Sequence, residues 1–390
     1  MPFYDAFIVS SANMKIRTID AVGLEYRVPA DRAYGSAVGL VARRQATLIR
    51  VSTEEGIEGI GDARAPVGVV RANLELLKPV FIGADILDRD AIFTRLLNRL
   101  YHMGLQGPLI GTYSGLDIAM LDALGKGLGL PVCRLIGGMA RREVAAYATG
   151  GYLTPHPGPG FESQLEAIRE SGLPVAKIKI GTGVESDEAR VAAARRYLGE
   201  DMVLAVDANG NYTCELALES MRRLSPYRIH WYEEPLKPRD YRGYAHLRSR
   251  APMAISAGEA HYMAFDFLRL VENGCIDIAQ PAVCVCGGLD EARRIADLCR
   301  LYSVRVIPAA WSSGVGLAAA VHFAASLPPI ADSEFEAAAQ LVEYDVGENP
   351  LRDEVLAEPL RPSAGRFTVS ESPGLGITLD EDAVRRYTVD

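Results

Sequence analysis

Between residues 143 and 345, short apolar stretches with strand character alternate with amphipathic helical stretches, and this alternation restricts the fold more than any other feature. The strand candidates are EVAAYATGG, VAKIKIG, MVLAVDANG, IHWYEEPL, MAISAGEA, CIDIAQPA, VRVIPAA and QLVEYD. Eight strands that alternate with helices are typical of a (β/α) barrel. A doubly wound sheet is the structural alternative, but no glycine-rich phosphate fingerprint follows the first strand.

Two further regions flank this barrel, which is predicted to span residues 141–365. Residues 14–140 combine strand patterns with later helical periodicity, so they predict an N-terminal α+β capping domain. Within it, QATLIRVSTEEGIEGIGDA predicts a hairpin that turns at residues 54–56. Residues 366–390 are rich in turn residues, and we expect this C-terminal segment to pack back on the capping domain.

Charge and composition exclude several classes of function. The formal net charge is −9 and no basic run occurs, which argues against binding to nucleic acid or to an anionic membrane surface. No apolar stretch reaches the length of a membrane span, and the first residues lack the basic region of a signal peptide. The 6 cysteines lack ligand-spaced partners, so reduced thiols in a cytoplasmic protein are expected.

Three acidic residues stand at the ends of consecutive predicted barrel strands. Asp207, Glu233 and Glu259 are each separated by 26 positions (233 − 207 and 259 − 233), which is one strand–helix unit. Equal spacing places them at one height at the C-terminal mouth of the barrel, where barrel active sites lie. Three converging carboxylates repel one another unless a cation neutralises them, and a set of oxygen ligands suits Mg²⁺. Strand alternation turns the neighbouring Glu234 away from this set, toward a supporting position.

Two lysines share one face of the second predicted strand. Lys177 and Lys179 are two positions apart in VAKIKIG, on the strand adjacent to the one that bears Asp207. Two ammonium groups side by side repel each other, so we expect them to face the carboxylate cluster. Nearby cations depress a lysine pKa, and a neutral lysine can act as a base near neutral pH.

The segments KIK, DAN, EEP and GE, in this order and spacing, resemble the enolase superfamily in its mandelate racemase-like branch. The resemblance extends over nearly the whole chain. The windows CVCGGLDEARRIA and VRVIPAAWSSGVGLAAAVHFAA are most similar to acid-sugar enzymes of the galactarolactone cycloisomerase type. The resemblance implies a modified (β/α)₇β barrel under an α+β capping domain, bound Mg²⁺, a small carboxylate substrate and a homo-oligomer.

The resemblance also implies roles for individual residues. The three strand-end carboxylates would hold the metal, which stabilises the enediolate formed when the α-proton of the substrate is removed. Lys179 would be the base that removes this proton, and Lys177 would help to polarise the substrate carboxylate. Asn209 and Glu343 match polar positions that touch metal-bound water or the substrate carboxylate.

This chain departs from the family pattern at two positions. Ala282 stands where relatives carry an aspartate on strand six, and Ala309 stands where they carry a histidine on strand seven. A racemase or epimerase needs a base on both faces of the enediolate, so loss of this pair favours acid-sugar dehydration or sugar-lactone cycloisomerisation by elimination. We expect substrate, water or a neighbouring side chain such as His261 or Trp311 to occupy the vacated space.

Two alternatives stay open. His261 follows Glu259 by two positions and could supply the missing acid or a second base, which would permit an epimerase. Alternatively, the protein binds sugar acids without catalysis.

A capping loop near residues 28–39 is expected to close over the mouth and set specificity, with Ser36 and Arg43 as further possible contacts. The predicted substrate contacts are Tyr34, Tyr152, Asn209, Trp311 and Glu343.

Overall fold

The structure, a computed structural model, describes residues 14–155, 160–329 and 340–389. Its N-terminal part is an antiparallel sheet packed against helices. The strands are β1 (Ile16–Arg27), β2 (Tyr34–Ser36), β3 (Gly39–Val41), β4 (Arg43–Thr53) and β5 (Glu58–Ala63). The helices are α1 (Val67–Phe81), α2 (Arg89–Arg99), α3 (Pro108–Leu128) and α4 (Val132–Leu135), with short 3₁₀ turns at Ala30–Arg32 and Ile86–Asp88.

The predicted hairpin is confirmed and brings β5 against α3. Strands β4 and β5 pair from Thr47 opposite Ala63 to Ser52 opposite Glu58, and Gly56 in the turn has a φ of +82° that favours glycine. Gly59 and Gly61 allow β5 to lie directly on α3, because a Cβ at Gly61 would lie 1.9 Å from the carbonyl oxygen of Gly115. Helix α3 is buried on nearly all sides, as its apolar sequence indicates.

The second part contains the eight predicted barrel strands. They are β6 (Glu143–Gly150), β7 (Val175–Lys179), β8 (Val203–Asp207), β9 (Ile229–Glu233), β10 (Ala254–Ala257), β11 (Ile278–Ala279), β12 (Arg305–Val306) and β13 (Leu341–Asp345). The helices between them are α5 (Gly160–Glu170), α6 (Val184–Leu198), α7 (Cys214–Leu224), α8 (Tyr241–Arg248), α9 (Met263–Glu272), α10 (Gly288–Leu301) and α11 (Gly314–Ser326), with a 3₁₀ turn at Ser225–Tyr227. Seven strand–helix units and a final strand confirm the (β/α)₇β prediction.

All eight strands are parallel and follow the order β12-β11-β10-β9-β8-β7-β6-β13. No ladder joins β12 to β13 within the described residues, but the side-chain amide of Gln340 donates to the carbonyl oxygen of Val306 at 2.8 Å across this gap. Apolar side chains such as Tyr147 and Trp231 occupy the interior of the barrel. The barrel is therefore a packed core below a polar mouth.

The C-terminal residues return to both sheets. They form α12 (Pro350–Asp353), β14 (Arg366–Thr368), α13 (Glu381–Tyr387) and β15 (Thr388–Val389). Strand β14 pairs with β6 of the barrel, whereas β15 pairs with β1, with Gly23 opposite Val389. The end of the chain thus ties the barrel to the N-terminal sheet.

Two general expectations can be compared with the described part of the chain. All six cysteines are free thiols, and five of them are buried. None of the helices described is both long and apolar enough to cross a membrane.

Candidate active site

Strand register brings the predicted lysines to the predicted carboxylates. Lys179 pairs with Asp207 across β7 and β8, and Asp207 pairs with Glu233 across β8 and β9. The Nζ atom of Lys179 lies 2.5 Å from Oδ2 of Asp207. The Nζ atom of Lys177 lies 2.6 Å from Oε1 of Glu233 and 3.0 Å from Oε1 of Glu343. The prediction that both lysines face the carboxylate cluster is confirmed.

The expected depression of the lysine pKa is wrong in this arrangement. Burial lowers the pKa of both ammonium groups, but the adjacent carboxylates outweigh burial. Glu233 and Glu343 hold the pKa of Lys177 well above its usual value. Asp207 raises the pKa of Lys179, against a smaller opposing effect of Lys177. The sequence pattern indicated two cations side by side, but it did not show how closely each would pair with an anion.

The pKa values of the two carboxylates that contact Lys177 are shifted in opposite directions. Burial raises the pKa of Glu233 to about 7, because repulsion from Asp207 and Glu343 counteracts the attraction of Lys177. Burial also opposes ionisation of Glu343, yet Lys177 and the Thr149 hydroxyl, which donates to Oε1 at 2.7 Å, bring its pKa down to about 2. The surroundings therefore favour the ionised form more strongly for Glu343, on β13, than for Glu233.

The other two acids lie beyond the strands. Ser256 is the residue that pairs with Glu233, so Glu259 stands three positions past this level and follows the end of β10. The equal spacing therefore did not give equal height. Glu234 also departs from strand alternation, because its φ is +41°. Its carboxyl group is buried beside Glu259 and Asp207; burial followed by repulsion from these anions raises its pKa well above the usual value.

A cavity of about 320 Å³ opens at this mouth. The β2–β3 hairpin of the N-terminal part forms one wall, in agreement with the predicted capping loop. Lys179 is the lysine of the pair that reaches this cavity; its side chain is 11% exposed, compared with 1% for Lys177. The predicted metal ligand Glu259 lines the cavity, as do the predicted contact residues Tyr34, Ser36, Tyr152, Asn209, Trp311 and Glu343.

Three aromatic side chains stand at one end of the cavity, and Arg44, which does not itself line the cavity, packs against two of them. Arg44 is buried and forms a 2.7 Å ion pair with Asp345, and its guanidinium lies 5.0 Å from the ring centroids of both Tyr34 and Trp311. The Tyr152 hydroxyl donates to Asp345 at 2.8 Å and accepts from the Trp311 indole at 3.1 Å. Burial and the Asp345 charge hold the pKa of Tyr152 well above its usual value, so this hydroxyl stays protonated.

Sequence reasoning missed part of this group. The predicted contact Arg43 does not line the cavity; its exposed side chain pairs with Glu25 at 3.2 Å, whereas the next residue, Arg44, points into the group. Asp345 could have been found, because it lies two positions after Glu343 and therefore faces the same way on β13. Arg64, which also lines the cavity, follows β5 and carries no local signal of its location.

His261 does not join the other predicted site residues. Its ring is buried against Tyr241 and Phe267, its Nε2 lies 2.8 Å from the carbonyl oxygen of Pro238, and it is not among the residues that line the cavity. Burial lowers its pKa, so the neutral ring is favoured. This histidine has the surroundings of a side chain that packs between α8 and α9.

The two alanines at the predicted dyad positions are neighbours. Ala282 and Ala309 form a parallel bridge at the ends of β11 and β12. They cluster with Val285, and the ring of Tyr262 packs against this cluster. Neighbouring side chains do pack against the two alanines, as one form of the expectation had it, but they are Tyr262 and Val285 rather than His261 or Trp311.

The residues at the mouth fit a divalent cation by charge and by donor chemistry. Five carboxyl groups gather around two ammonium groups: Asp207, Glu233, Glu234, Glu259 and Glu343 around Lys177 and Lys179. Oε1 of Glu234 and Oδ1 of Asn209 are buried oxygens without a hydrogen-bond partner. Within the described ranges, however, no three His, Cys, Asp or Glu side chains are already arranged to hold a metal ion. The donor set suits Mg²⁺, and binding would require the carboxylates to rearrange.

A capped (β/α)₇β barrel with lysines and acids at the carboxyl ends of its strands has the architecture of a barrel enzyme, and sequence comparison identifies the family. Residues 19–137 match the N-terminal domain of mandelate racemase and muconate lactonizing enzyme, and residues 160–383 match the enolase C-terminal domain-like family. The chain belongs to the mandelate racemase-like branch of the enolase superfamily.

Two curated relatives act on sugar acids. The chain is 34% identical to D-galactarolactone cycloisomerase of Agrobacterium fabrum, over 96% of this chain and 99% of the relative. It is 30% identical to arabinonate dehydratase of Saccharolobus solfataricus, over 86% of this chain and 89% of that protein. The relatives therefore include both an isomerase and a lyase.

Solved structures agree in fold. The 3,6-anhydro-D-galactonate cycloisomerase of Zobellia galactanivorans superposes with a TM-score of 0.86 and 32% identity, and the alignment covers 96% of this chain and all of the other. A racemase of Streptomyces coelicolor with bound magnesium gives a TM-score of 0.85 at 25% identity, again over 96% of this chain and 100% of that one. Magnesium is thus found in this family.

Proposed function

We propose that this chain is a Mg²⁺-dependent enzyme that removes the α-proton of a sugar-acid carboxylate and then eliminates the substituent at the β-carbon. The reaction is either the dehydration of an acid sugar or the ring opening of a sugar lactone. The observation that carries the proposal is that the two sides of the barrel mouth carry different side chains. A lysine lines the cavity on the β7 side, whereas alanines stand at the ends of β11 and β12.

Lys179 is assigned as the base. The Asp207 carboxylate raises its pKa in this arrangement, and Mg²⁺ bound to that carboxylate would remove this effect. The Lys179 side chain is partly exposed to the cavity that Asn209 and Glu259 also line, so a substrate carbon can approach Nζ. Lys177 is 1% exposed and forms ion pairs with Glu233 and Glu343. Its positive charge therefore stabilises these two anions and does not contact the substrate. The two lysines of the KIK segment therefore have different roles.

Asp207, Glu233 and Glu259 are the residues that would hold Mg²⁺. When bound, the ion would neutralise the excess negative charge at the mouth and polarise the substrate carboxylate, which acidifies the α-proton. Asn209 and Glu343 line the same cavity and are placed to orient the carboxylate and hydroxyl groups of the substrate. The β2–β3 hairpin shields this region from water.

The test is exchange of the α-proton in deuterated buffer. A panel of acid sugars and sugar lactones is incubated with the enzyme, with Mg²⁺ or with EDTA, and followed by ¹H NMR. We expect at least one compound to exchange or react only when Mg²⁺ is present. Lys179→Ala should abolish this signal and retain Mg²⁺ binding, whereas Lys78→Ala, on the exposed surface of α1, should leave it unchanged.

Two outcomes would reject the proposal. If no compound in a broad panel exchanges or reacts, the protein is a binder of sugar acids without proton-transfer activity. If Lys179→Ala exchanges the proton as fast as the unmodified protein, another group is the base.

A further inference from the structure

Arg64 supplies a positive charge on the side of the mouth opposite β7. It directly follows β5, and its backbone N–H donates to the carbonyl oxygen of Cys284 at 3.3 Å. Cys284 follows β11, four strands away from β7 in an eight-stranded barrel, so this bond places Arg64 across the mouth from Lys179. The Arg64 side chain lines the same cavity as Lys179, and its guanidinium lies 5.5 Å from the centroid of the Trp311 ring.

The charge of Arg64 has no anionic partner among the residues that the structure describes. The neighbouring acid Asp62 is buried, and its Oδ2 accepts from the backbone N–H of Ser313 at 3.0 Å and from the Ser313 hydroxyl at 2.6 Å. Arg44, which contacts the other side of the aromatic group, is instead paired with Asp345. An exposed guanidinium that is stacked on an aromatic ring and faces a cavity is well suited to bind a carboxylate in a bidentate manner.

Within the described part of the chain, the strand ends on this side carry no acidic group that could protonate a leaving hydroxide. The ends of β11 and β12 carry Ala282 and Ala309, and Tyr262, which packs on them, is not among the cavity-lining residues. Expulsion of hydroxide in a dehydration requires a proton donor at the leaving oxygen. A lactone ring oxygen leaves as a carboxylate, which is a weak base and needs stabilisation of negative charge rather than a proton.

On the basis of the function proposed above, we propose that Arg64 binds the carboxylate that is released when a lactone of a sugar dicarboxylic acid is opened. Lys179 takes the α-proton next to the free carboxylate, and the C–H electron pair ends as a double bond between the α- and β-carbons. The bond from the β-carbon to the ring oxygen breaks, and its electron pair forms the carboxylate that contacts Arg64. The enol then becomes the ketone: its hydroxyl loses a proton and the β-carbon takes one up. The product, a 2-keto-3-deoxy dicarboxylic acid, has the same atoms as the lactone acid, so the reaction is an isomerisation.

The two ends of the substrate thus face two separate charge centres. The free carboxylate lies with the acids and lysines of β7–β9, and the lactone carbonyl faces Arg64. Charge develops at the lactone group only as the ring opens, so Arg64 contributes more to the transition state than to the bound substrate. Its replacement should lower kcat more than it raises KM.

The first experiment separates proton abstraction from ring opening. Arg64→Met and Arg64→Lys are assayed with 1,4-lactones of sugar dicarboxylic acids, and both α-proton exchange and ring opening are measured by ¹H NMR in deuterated buffer. We expect Arg64→Met to lower the kcat of ring opening by about 10²-fold, the size found when one charge-stabilising donor is removed, while exchange changes less than about twofold. Arg64→Lys should recover part of the lost rate, and Arg71→Met, exposed on α1, should behave as the unmodified enzyme.

The second experiment measures binding without turnover. D-Galactarate and D-galactonate differ in whether carbon 6 is a carboxylate, so their affinities compare a dicarboxylate with a monocarboxylate. In calorimetric titrations with Mg²⁺ present, we expect about tenfold tighter binding of galactarate, and Arg64→Met should remove this difference.

These measurements distinguish failure of the inference from failure of the proposed function. Three results would overturn the assignment of Arg64. Ring opening could be unchanged in Arg64→Met, or this variant could lose exchange and ring opening equally. The third result is dehydration of monocarboxylic acid sugars that does not depend on Arg64. Absence of α-proton exchange by the unmodified protein rejects the proposed function. In that case a galactarate preference that depends on Arg64 still supports a dicarboxylate site, and equal binding of both acids refutes it.

Discussion

The two sides of the barrel mouth share one scaffold but differ in their chemistry. On the β7–β9 side, two buried lysines are neutralised by carboxylates at 2.5–3.0 Å. On the β11–β12 side, Ala282 and Ala309 pack with Val285 beneath the ring of Tyr262, and the nearby cation, Arg64, comes from the N-terminal part. The comparison shows that parallel strands of one barrel can present ionisable groups on one side of the mouth and apolar side chains on the other.

The largest expected effect tests whether the charged side depends on Lys177 for stability. Lys177→Met leaves Glu233 and Glu343 buried without their shared ammonium group, so the free energy of unfolding should fall by about 3–5 kcal/mol. Denaturant titration measures this loss. Lys78→Met, which removes a solvent-exposed ion pair with Glu75, should cost less than about 1 kcal/mol. Equal stability of the two variants would show that the buried cluster is not held by this lysine.

A second prediction concerns metal binding on the same side. Glu259→Gln should weaken Mg²⁺ binding by at least about 10²-fold, since loss of groups that only support metal ligands already costs 10–100-fold. Calorimetric titration of Mg²⁺ gives the affinity, with Glu272→Gln, exposed at the end of α9, as the matched control. If Glu259→Gln binds Mg²⁺ with unchanged affinity, Glu259 is not a metal ligand and does not share this role with Asp207.

Introducing a histidine at position 309, on the apolar side of the mouth, should lower the stability of the protein. Ala309→His forces an imidazole into space that Tyr262 and Val285 already occupy, so stability should fall by about 1–3 kcal/mol. Ala309→Ser, which adds a single atom, is the control. If Tyr262 is the obstacle, adding Tyr262→Ala to Ala309→His should cost less than Tyr262→Ala does alone, which a double-mutant cycle reports as coupling. Strict additivity would mean that the ring does not occupy the dyad space.

The smallest expected effect concerns stereochemistry: the enzyme should not convert its substrate into the epimer at the α-carbon. With a base assigned on the Lys179 face alone, deuterium should enter the α-carbon with retention, and the epimer should not accumulate during prolonged incubation. Chiral chromatography of the recovered substrate measures this. Accumulation of the epimer would reveal a second base and make the two sides more alike than the structure indicates. Tyr262→Phe would then be the first variant to examine.

Most of the fold was predictable because its signals are local. Strand–helix alternation predicted the eight barrel strands, the family resemblance implied the (β/α)₇β form, and the turn at residues 54–56 predicted the hairpin of the N-terminal sheet. Lys177 and Lys179 share one face of β7 for the same reason, since side-chain alternation along a strand is fixed by backbone geometry. The predictions that were wrong concern residues just beyond the ends of strands. Glu259 lies three positions beyond the pairing level, and the positive φ of Glu234 cancels the alternation rule.

The sequence by itself determined which chemical groups stand at the strand ends, because these positions depend on short-range periodicity. Tertiary structure decided what those groups contact. Arg64 and Trp311 are far apart in sequence and meet because the N-terminal part packs on the barrel mouth, and Tyr262 covers the alanines because the loop after β10 folds over β11 and β12. The lysine charges were decided in the same way: burial lowers their pKa and carboxylates from other strands raise it. Such long-range contacts leave no periodic signal along the chain, since each depends on distances that only the packed structure sets.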